Sequence, residues 1–290
     1  MNNILEVKNL TKNYGKSRGV SDVNLEIEKG TIYGFIGPNG AGKSTTIKCI
    51  MNLINKNSGE VFIDGKLFLK KNNELKKKIG YLPSEVNLYD GLKVKEMIKY
   101  SESFYKKDCS KRISELVNKL DIDVNKKIEE LSLGNLKKVG IVLALMHEPE
   151  IVIMDEASSG LDPLMQEAFY EILIEEKKKG TTIFFSSHIL SEIKRICDKV
   201  AIIKEGKIIN IDDMNNIEDS DVVRIKITSD YNKDIVKELK LSEDSIKNET
   251  LEFIYKDDIN NLMKILSKYN IKKLLIEELD IEEIFIHYYK

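Results

Sequence analysis

Short apolar segments alternate with longer amphipathic segments along the first 211 residues. The short segments predict strands, because they are too short for helices and are either alternating or continuously apolar. They lie at residues 4–7, 23–27, 32–36, 61–63, 151–154, 181–185, 199–204 and 207–211. The longer segments have the spacing of helices and lie at residues 45–53, 92–120, 136–146, 164–179 and 189–197. Strands that alternate with helices predict an α/β domain with a mainly parallel sheet.

The pattern changes after this point. Residues 212–220 are polar and rich in turn formers, which predicts a linker. Beyond it, strands are predicted at 222–227, 250–255 and 272–277, and helices at 232–240, 257–268 and 281–289. Asp280 and Glu283 have the spacing of a capping pair for the last of these helices. We therefore expect two domains, an α/β domain over 1–215 and a small α+β domain over 216–290.

The distribution of charge supports the division into two domains, and the net charge argues against some classes of function. The 290 residues carry a formal net charge of −2, which does not favour a protein that binds nucleic acid or an anionic membrane surface. From Glu218 onward the chain has 17 acidic and 12 basic residues, so the composition becomes more acidic near the predicted boundary.

The chain has the composition expected of a soluble cytoplasmic protein. Residues 1–7 lack the apolar core of a signal peptide, and apolar stretches such as 141–146 are far shorter than the roughly 18 residues of a membrane span. Cys49, Cys109 and Cys197 have no metal-type spacing, so we expect buried thiols in a reducing compartment. Any action on a membrane would then require a partner.

A glycine-rich segment follows the predicted strand 32–36 and precedes a predicted helix. It matches G-x-x-x-x-G-K-[ST], the phosphate-binding loop, and Thr45 follows it. Its residues are Gly37, Pro38, Asn39, Gly40, Ala41, Gly42, Lys43 and Ser44. The backbone N–H groups and the helix N-terminus favour a phosphate. Lys43 is expected to reach the β- and γ-phosphates, and Ser44 to ligate Mg²⁺, so the segment predicts a site for a nucleoside triphosphate.

Two carboxylates follow the apolar strand 151–154. Ligands of parallel sheets collect at the carboxyl ends of the strands, so Asp155 and Glu156 are expected beside the phosphate-binding loop. Asp155 is suited to holding Mg²⁺, and Glu156 to polarising an attacking water. An acidic surface turn is the simpler alternative for this pair on its own.

Further motifs make the chain resemble the ATP-binding-cassette (ABC) ATPases. Leu131-Ser132-Leu133-Gly134-Asn135 is similar to the L-S-G-G-Q signature, and residues 155–163 resemble the D-E-P-x-x-G-L-D-P segment, with its D-loop at 159–162. Ser186-Ser187-His188 is similar to the segment of the switch histidine, and Tyr14-Gly15 to the aromatic loop that stacks on adenine. The motifs occur in the family's order and cover about residues 1–215.

The resemblance implies a P-loop NTPase fold with a RecA-like core, an antiparallel β subdomain and a helical subdomain. It also implies a head-to-tail dimer, in which each ATP lies between one subunit's phosphate-binding loop and the other's signature. Ser132 and Gly134 would contact the γ-phosphate from the second subunit, which is either an identical or a homologous chain. His188 would contact the same phosphate and help to hold the water. The other two histidines, His147 and His287, are expected at the surface.

The chain departs from the family pattern at several positions. Leu133 and Asn135 replace a glycine and the glutamine of the signature, and Ala157 replaces a proline. The largest departure is Ser84, which stands where the family usually has the glutamine that completes Mg²⁺ ligation. Serine is able to ligate Mg²⁺ with a shorter reach, whereas Glu85 would add negative charge beside phosphates. We expect either slow hydrolysis or a second, different ATPase subunit.

The resemblance leads to one main functional expectation. The chain would bind and hydrolyse ATP with Mg²⁺ and power a separate integral-membrane permease, to which it would attach at the inner face of the cell membrane. Residues 279–285 are similar to a tail common in exporters of drugs, peptides and ions, which favours export. The alternatives are a non-transport ABC ATPase and a nucleotide sensor with little turnover. We expect no nucleic-acid partner, because no stripe of aromatic and basic residues is present.

Overall fold

In the computed structural model, strands and helices alternate along the first 214 residues. The strands are β1 (Asn3–Tyr14), β2 (Ser17–Glu28), β3 (Ile32–Ile36), β4 (Ser58–Ile63), β5 (Lys66–Leu67), β6 (Ile79–Leu82), β7 (Ile151–Asp155), β8 (Thr182–Ser187), β9 (Lys199–Lys204) and β10 (Lys207–Asp213). The helices are α1 (Lys43–Ile50), α2 (Asn73–Lys76), α3 (Val94–Glu102), α4 (Ser110–Lys119), α5 (Leu133–Leu145), α6 (Pro163–Lys178) and α7 (Leu190–Ile196).

The structure describes residues 3–15, 17–214, 223–242, 245–247, 250–255 and 257–278. The chain divides into two units, Met1–Met214 and Asn215–Lys290. Several predicted features lie outside the described residues. They are most of the linker, the tail 279–285, the helix 281–289 and its capping pair, Asp280 and Glu283. His287 also lies outside the described residues.

The described residues of the first unit form two sheets. The main sheet has the order β10-β9-β3-β8-β7-β6, in which all neighbours pair in parallel except β9 and β10. The second sheet is antiparallel, with the order β2-β1-β4-β5. Tyr33, Phe35 and Phe184 of the main sheet belong to the same buried cluster as apolar residues of β1, β2 and β4. The two sheets therefore form one core, and the expected α/β cassette with an antiparallel β subdomain is confirmed.

The long strands β1 and β2 extend well beyond the predicted segments 4–7 and 23–27. Their polar residues do not alternate regularly, because the pairing shifts register between Val7 and Leu10. Asn9 and Asp22 have positive φ there, and Asn9 Nδ2 donates to Asp22 Oδ1 at 2.8 Å. The side chains at these irregularities bond to each other rather than packing into a core.

A helical region of α3, α4 and α5 connects β6 to β7. The predicted helix 92–120 is wrong as a single element, since it divides into α3 and α4. Asp108 Oδ1 accepts from the Ser110 N–H at 2.9 Å, which starts a new helix at that point. Arg112 of α4 donates at 2.6 Å to Glu176 of α6, and both side chains are buried. This ion pair attaches the helical region to the core.

The second unit is a small α+β sandwich. Its strands are β11 (Val223–Ser229), β12 (Ile246–Lys247), β13 (Thr250–Tyr255) and β14 (Ile271–Glu278), and its helices are α8 (Asn232–Glu238) and α9 (Ile259–Leu266). The antiparallel sheet has the order β12-β13-β11-β14, which is the arrangement of a split βαβ, ferredoxin-like unit. Ile225, Ile227 and Leu251 of the sheet pack with Ile235 and Leu262 of the helices.

No helix in the described ranges has the length and apolar character needed to cross a bilayer. The expectation of buried thiols is confirmed, because Cys49, Cys109 and Cys197 are free and buried.

The expectation that His147 lies at the surface is wrong. Its side chain is 7% exposed, stacks on Tyr105 with ring centroids 4.1 Å apart, and places Nε2 3.3 Å from the Ile79 carbonyl oxygen. In the described part of the chain, its Nδ1 has no hydrogen-bond partner. Burial lowers the pKa of His147 to about 4, because the charged ring has no water to solvate it.

This histidine predicts a loss of stability in mild acid. The unfolded chain, with an ordinary pKa of 6.5 for this residue, binds more protons than the folded chain between pH 6.5 and about 4. Stability therefore falls as the pH drops through this window, by about 2 kcal/mol between pH 7 and 5 from His147 alone. Urea unfolding followed by circular dichroism at several pH values measures this change.

The matched variant is His147→Phe, which keeps a ring against Tyr105 and removes the titrating group. Its free energy of unfolding should vary less with pH than that of the wild type, by about the same 2 kcal/mol over that range. Identical pH dependence in the two proteins would show that His147 binds protons equally in the folded and the unfolded chain, so that folding does not lower its pKa.

Candidate nucleotide-binding site

The phosphate-binding loop joins the carboxyl end of β3 to the start of α1. Gly42 directly precedes α1 and has a φ of 111°, a conformation that only glycine adopts without strain. A Cβ on Gly42 would lie 2.6 Å from Val20 Cγ1, so a larger residue has no room. The Ala41 N–H donates to the Pro38 carbonyl at 3.1 Å, which closes the turn. The backbone of the loop thus curls at the helix N-terminus, as the sequence predicts.

Lys43 occupies the centre of this loop. Its side chain is only 4% exposed, and its ammonium donates to the carbonyl oxygens of Gly37 at 2.6 Å and Pro38 at 3.2 Å. Glu156 Oε1 lies 3.3 Å from the same Nζ atom. A buried ammonium requires a negative partner, and in this structure Glu156 supplies it.

The two carboxylates lie at the carboxyl end of β7, as expected. Asp155 is fully buried, and its Oδ1 accepts from Ser186 Oγ of β8 at 2.8 Å. Among the described residues, its Oδ2 has no hydrogen-bond partner. Strand register brings these groups together, since β7 and β8 pair Asp155 with Ser186 and β3 and β8 pair Ile36 with Ser187.

Glu156 is held in an unusual backbone conformation. Its φ is 47°, which is rare for a residue with a side chain. The Glu156 N–H donates to the carbonyl oxygen of Ser186 at 3.2 Å and to its Oγ at 3.1 Å. His188 Nδ1 lies 3.5 Å from Glu156 Oε1, so one carboxylate oxygen faces both Lys43 and His188.

Lys43 and Glu156 border a cleft of about 550 Å³, a volume within the usual range for small-molecule sites. Asp155 and His188 do not line it and lie beside Glu156 instead. Many predicted residues line it, namely Asn39, Gly40, Gly42, Lys43, Ser44, Thr45, Ser84 and Glu156. Gly19, Glu85 and Ser159 line it as well, although the sequence reasoning did not assign them to the nucleotide. Ser159 belongs to the D-loop motif, and Gly19 has no motif that would have indicated it.

Tyr14, Ser132 and Gly134 do not line this cleft. Tyr14 ends β1, is 45% exposed, and has Lys12 Nζ 5.0 Å from its ring centroid. Ser132 caps α5, with Oγ accepting from the Asn135 N–H at 3.3 Å. Gly134 lies against the D-loop, where a Cβ would be 2.8 Å from the Gly160 carbonyl oxygen. The signature therefore lies at the start of a helix beside the D-loop, and its residues are outside the cleft lining.

Comparisons with known proteins agree with this arrangement. The ABC transporter family model matches residues 20–159. An uncharacterized ABC transporter ATP-binding protein of Methanocaldococcus jannaschii is 34% identical over 279 residues, which are 94% of this chain and 98% of that protein. The bacitracin transport ATP-binding protein BcrA of Bacillus licheniformis is 38% identical over 72% of this chain and 69% of its own length.

A solved structure is similar as well. It is a dimeric ATP-binding cassette in a post-hydrolysis state, bound to ADP and Pi. Its TM-score is 0.65 at 26% identity, over 72% of this chain and 98% of that one. Family, fold and cleft agree with the resemblance found in the motifs. The chain belongs to the ATP-binding proteins of ABC transporters and is an ATPase of that family.

Proposed function

We propose that this chain is the energy-coupling subunit of an exporter, which binds ATP with Mg²⁺ and works as a dimer beside a separate membrane permease. The observation that carries the proposal is that Lys43 and Glu156 face each other in one cleft, with His188 Nδ1 3.5 Å from the Glu156 carboxylate. A lysine for phosphates, a carboxylate for water and a histidine next to it are the groups that phosphoryl transfer to water requires.

The cleft residues fit a Mg²⁺–nucleotide. No three His, Cys, Asp or Glu side chains of the described residues converge as a metal site. Mg²⁺ in nucleotide sites is ordinarily held by one or two carboxylates together with the phosphates. Asp155, whose buried Oδ2 has no hydrogen-bond partner in the described part of the chain, fits the carboxylate role, and the hydroxyls of Ser44 and Ser84 in the cleft fit the remaining protein ligands. When bound, the metal supplies charge neutralisation of the phosphates.

Glu156 has two successive partners in this proposal. In the present structure its carboxylate neutralises Lys43. A triphosphate brings several negative charges to the same ammonium, so it replaces Glu156 as the partner of Lys43. The released carboxylate is then available to accept a proton from water, with His188 beside it to orient that water.

The exposed signature supports a dimer. Leu133, between Ser132 and Gly134, is 82% exposed, an unusual position for a large apolar side chain. The similar solved cassette is itself dimeric. We propose that Ser132 and Gly134 of one subunit complete the site of the other, and that the second subunit is an identical or a homologous chain.

A role in transport is supported by the relative that is named for bacitracin transport, and we propose that the direction is export through a separate permease. We place the chain in the cytoplasm, attached through the permease to the inner face of the membrane. We propose that the predicted first domain, residues 1–215, contains the ATPase and that residues 216–290 form an accessory domain.

Replacing Lys43 tests the binding site. Lys43→Ala removes the ammonium that holds the phosphates, so we expect ATP affinity to fall at least about 100-fold, the equivalent of one or two charge-assisted hydrogen bonds. Isothermal titration with ATP and Mg²⁺ measures it. Lys48→Ala is the matched control, because Lys48 lies on the exposed side of the same helix. Equal affinities for the two variants would refute the assignment.

Replacing Glu156 tests hydrolysis and dimerisation together. Glu156→Gln keeps the shape of the side chain but removes its basicity, so we expect turnover to fall at least about 100-fold and an ATP-dependent dimer to accumulate. Size-exclusion chromatography with light scattering detects the dimer, and phosphate release measures turnover. Glu171→Gln, at an exposed position of α6, serves as the control. An inactive Glu156→Gln variant that stays monomeric with bound ATP would contradict a dimer of identical chains.

A further inference from the structure

A second lysine is buried close to the cleft without lining it. Lys137 lies on α5, five residues after the signature serine Ser132, and its side chain is 4% exposed. Its Nζ atom lies 2.6 Å from the carbonyl oxygen of Ser84, 3.3 Å from that of Pro83 and 3.4 Å from that of Glu156. An ammonium group has three N–H donors, so each finds a backbone acceptor.

The three carbonyls belong to the two loops that form the reactive end of the cleft. Pro83 and Ser84 follow β6, and Glu156 follows β7. The Glu156 backbone has a positive φ and is bonded at its N–H by Ser186. Lys137 bonds the same residue at its carbonyl. The strained conformation of Glu156 is thus fixed from both sides.

Packing along α5 reinforces this attachment. One turn after Lys137, Gly140 approaches the loop after β6 so closely that a Cβ would lie 2.8 Å from Leu82 Cδ1 and 2.9 Å from Val86 Cγ2. The helix that begins at the signature is therefore in tight contact with the segment that contains Ser84.

Charge explains why an ammonium is stable at this position. Burial lowers the pKa of Lys137, whereas the carboxylates of Asp155, Glu156 and Glu85 favour its charged form. An apolar side chain at this position would leave the carbonyls of Ser84 and Glu156 without this donor. Buried acceptors that lose their donor are costly, and a small shift of either loop displaces the reacting groups.

We propose that Lys137 is a positioning residue, which fastens Ser84 and Glu156 to the signature helix and so sets the Mg²⁺ ligand and the general base in one geometry. This inference rests on the roles proposed above for Ser84 and Glu156. The new element is a direct contact between these two residues and the helix that follows the signature in the same chain. A displacement of α5 cannot leave both loops in place without breaking bonds to the Lys137 ammonium.

The test compares Lys137→Met with Lys138→Met in the full-length chain. The two variants lose the same charge from neighbouring positions of one helix, and Lys138 is partly exposed and donates to neither loop in the described structure. Hydrogen exchange is measured first on nucleotide-free protein. We expect faster exchange in Lys137→Met at peptides covering 83–86 and 156–158, with the rest of the first unit unchanged.

Kinetics provide the second readout. For Lys137→Met we expect kcat to fall roughly 10- to 100-fold, with the ATP dissociation constant within about 2-fold of wild type, because Lys43 and its loop are not altered. Lys137→Gln keeps an N–H donor on a shorter chain, so its kcat should lie between those of Lys137→Met and wild type. Lys138→Met should match wild type in both measurements.

Other outcomes overturn the inference. Unchanged exchange in the two loops of both Lys137 variants would show that the ammonium does not fasten them. Faster exchange throughout the first unit, or equal losses of kcat and ATP affinity, would indicate a general structural role. A wild-type protein without ATPase activity would contradict the proposed function instead. The exchange experiment uses no nucleotide, so it tests the role of Lys137 even if the proposed function is wrong.

Discussion

The site depends on one constraint, which is that the ammonium group of Lys43 is almost completely buried. Lys43 is held by the carbonyls of Gly37 and Pro38, and these two contacts leave its positive charge uncompensated. The cost of burying such a charge is several kcal/mol unless an anion lies close to it. The Glu156 carboxylate is this anion, and its Oε1 atom lies 3.3 Å from Lys43 Nζ. The phosphate-binding loop and the end of β7 are therefore joined by one ion pair.

Besides this ion pair, Glu156 has contacts with three other residues that surround the site. Its carboxylate faces Lys43 and His188, its N–H is bonded to Ser186, and its carbonyl accepts from Lys137. The backbone bonds fix where the residue lies, whereas the carboxylate partners are exchangeable. In the proposed function, a phosphate takes over Lys43 and the fixed backbone keeps the released carboxylate near the water it activates.

Much of the fold and the site was predictable from the sequence, because both depend on local patterns. The strand 32–36 and the glycine-rich turn after it were predicted with their observed bounds, since a central parallel strand is continuously apolar and the turn needs glycine. Asp155 and Glu156 followed from the rule that ligands collect at strand ends. The division of residues 92–120 was missed, because the apolar spacing does not show the break, where Asp108 Oδ1 accepts from the Ser110 N–H.

The residues that the sequence did not indicate are those whose environment is created by distant segments. His147 has the sequence context of a polar turn, and its burial arises from Tyr105 and the first residue of β6. Lys137 occupies a polar position of an apolar helix, and its acceptors are backbone carbonyls 53 residues before it and 19 after it. Every residue has a backbone carbonyl, so the sequence does not indicate which carbonyls accept from Lys137. Only the folded structure shows these contacts.

The exchange of partners at Lys43 is the central claim, and a crystal structure with Mg²⁺ and a non-hydrolysable ATP analogue tests it most directly. The account predicts a phosphate oxygen within hydrogen-bond distance of Lys43 Nζ, and a separation of more than about 4 Å between that atom and the Glu156 carboxylate. A nucleotide bound elsewhere, with Lys43 and Glu156 still paired at 3.3 Å, would contradict it.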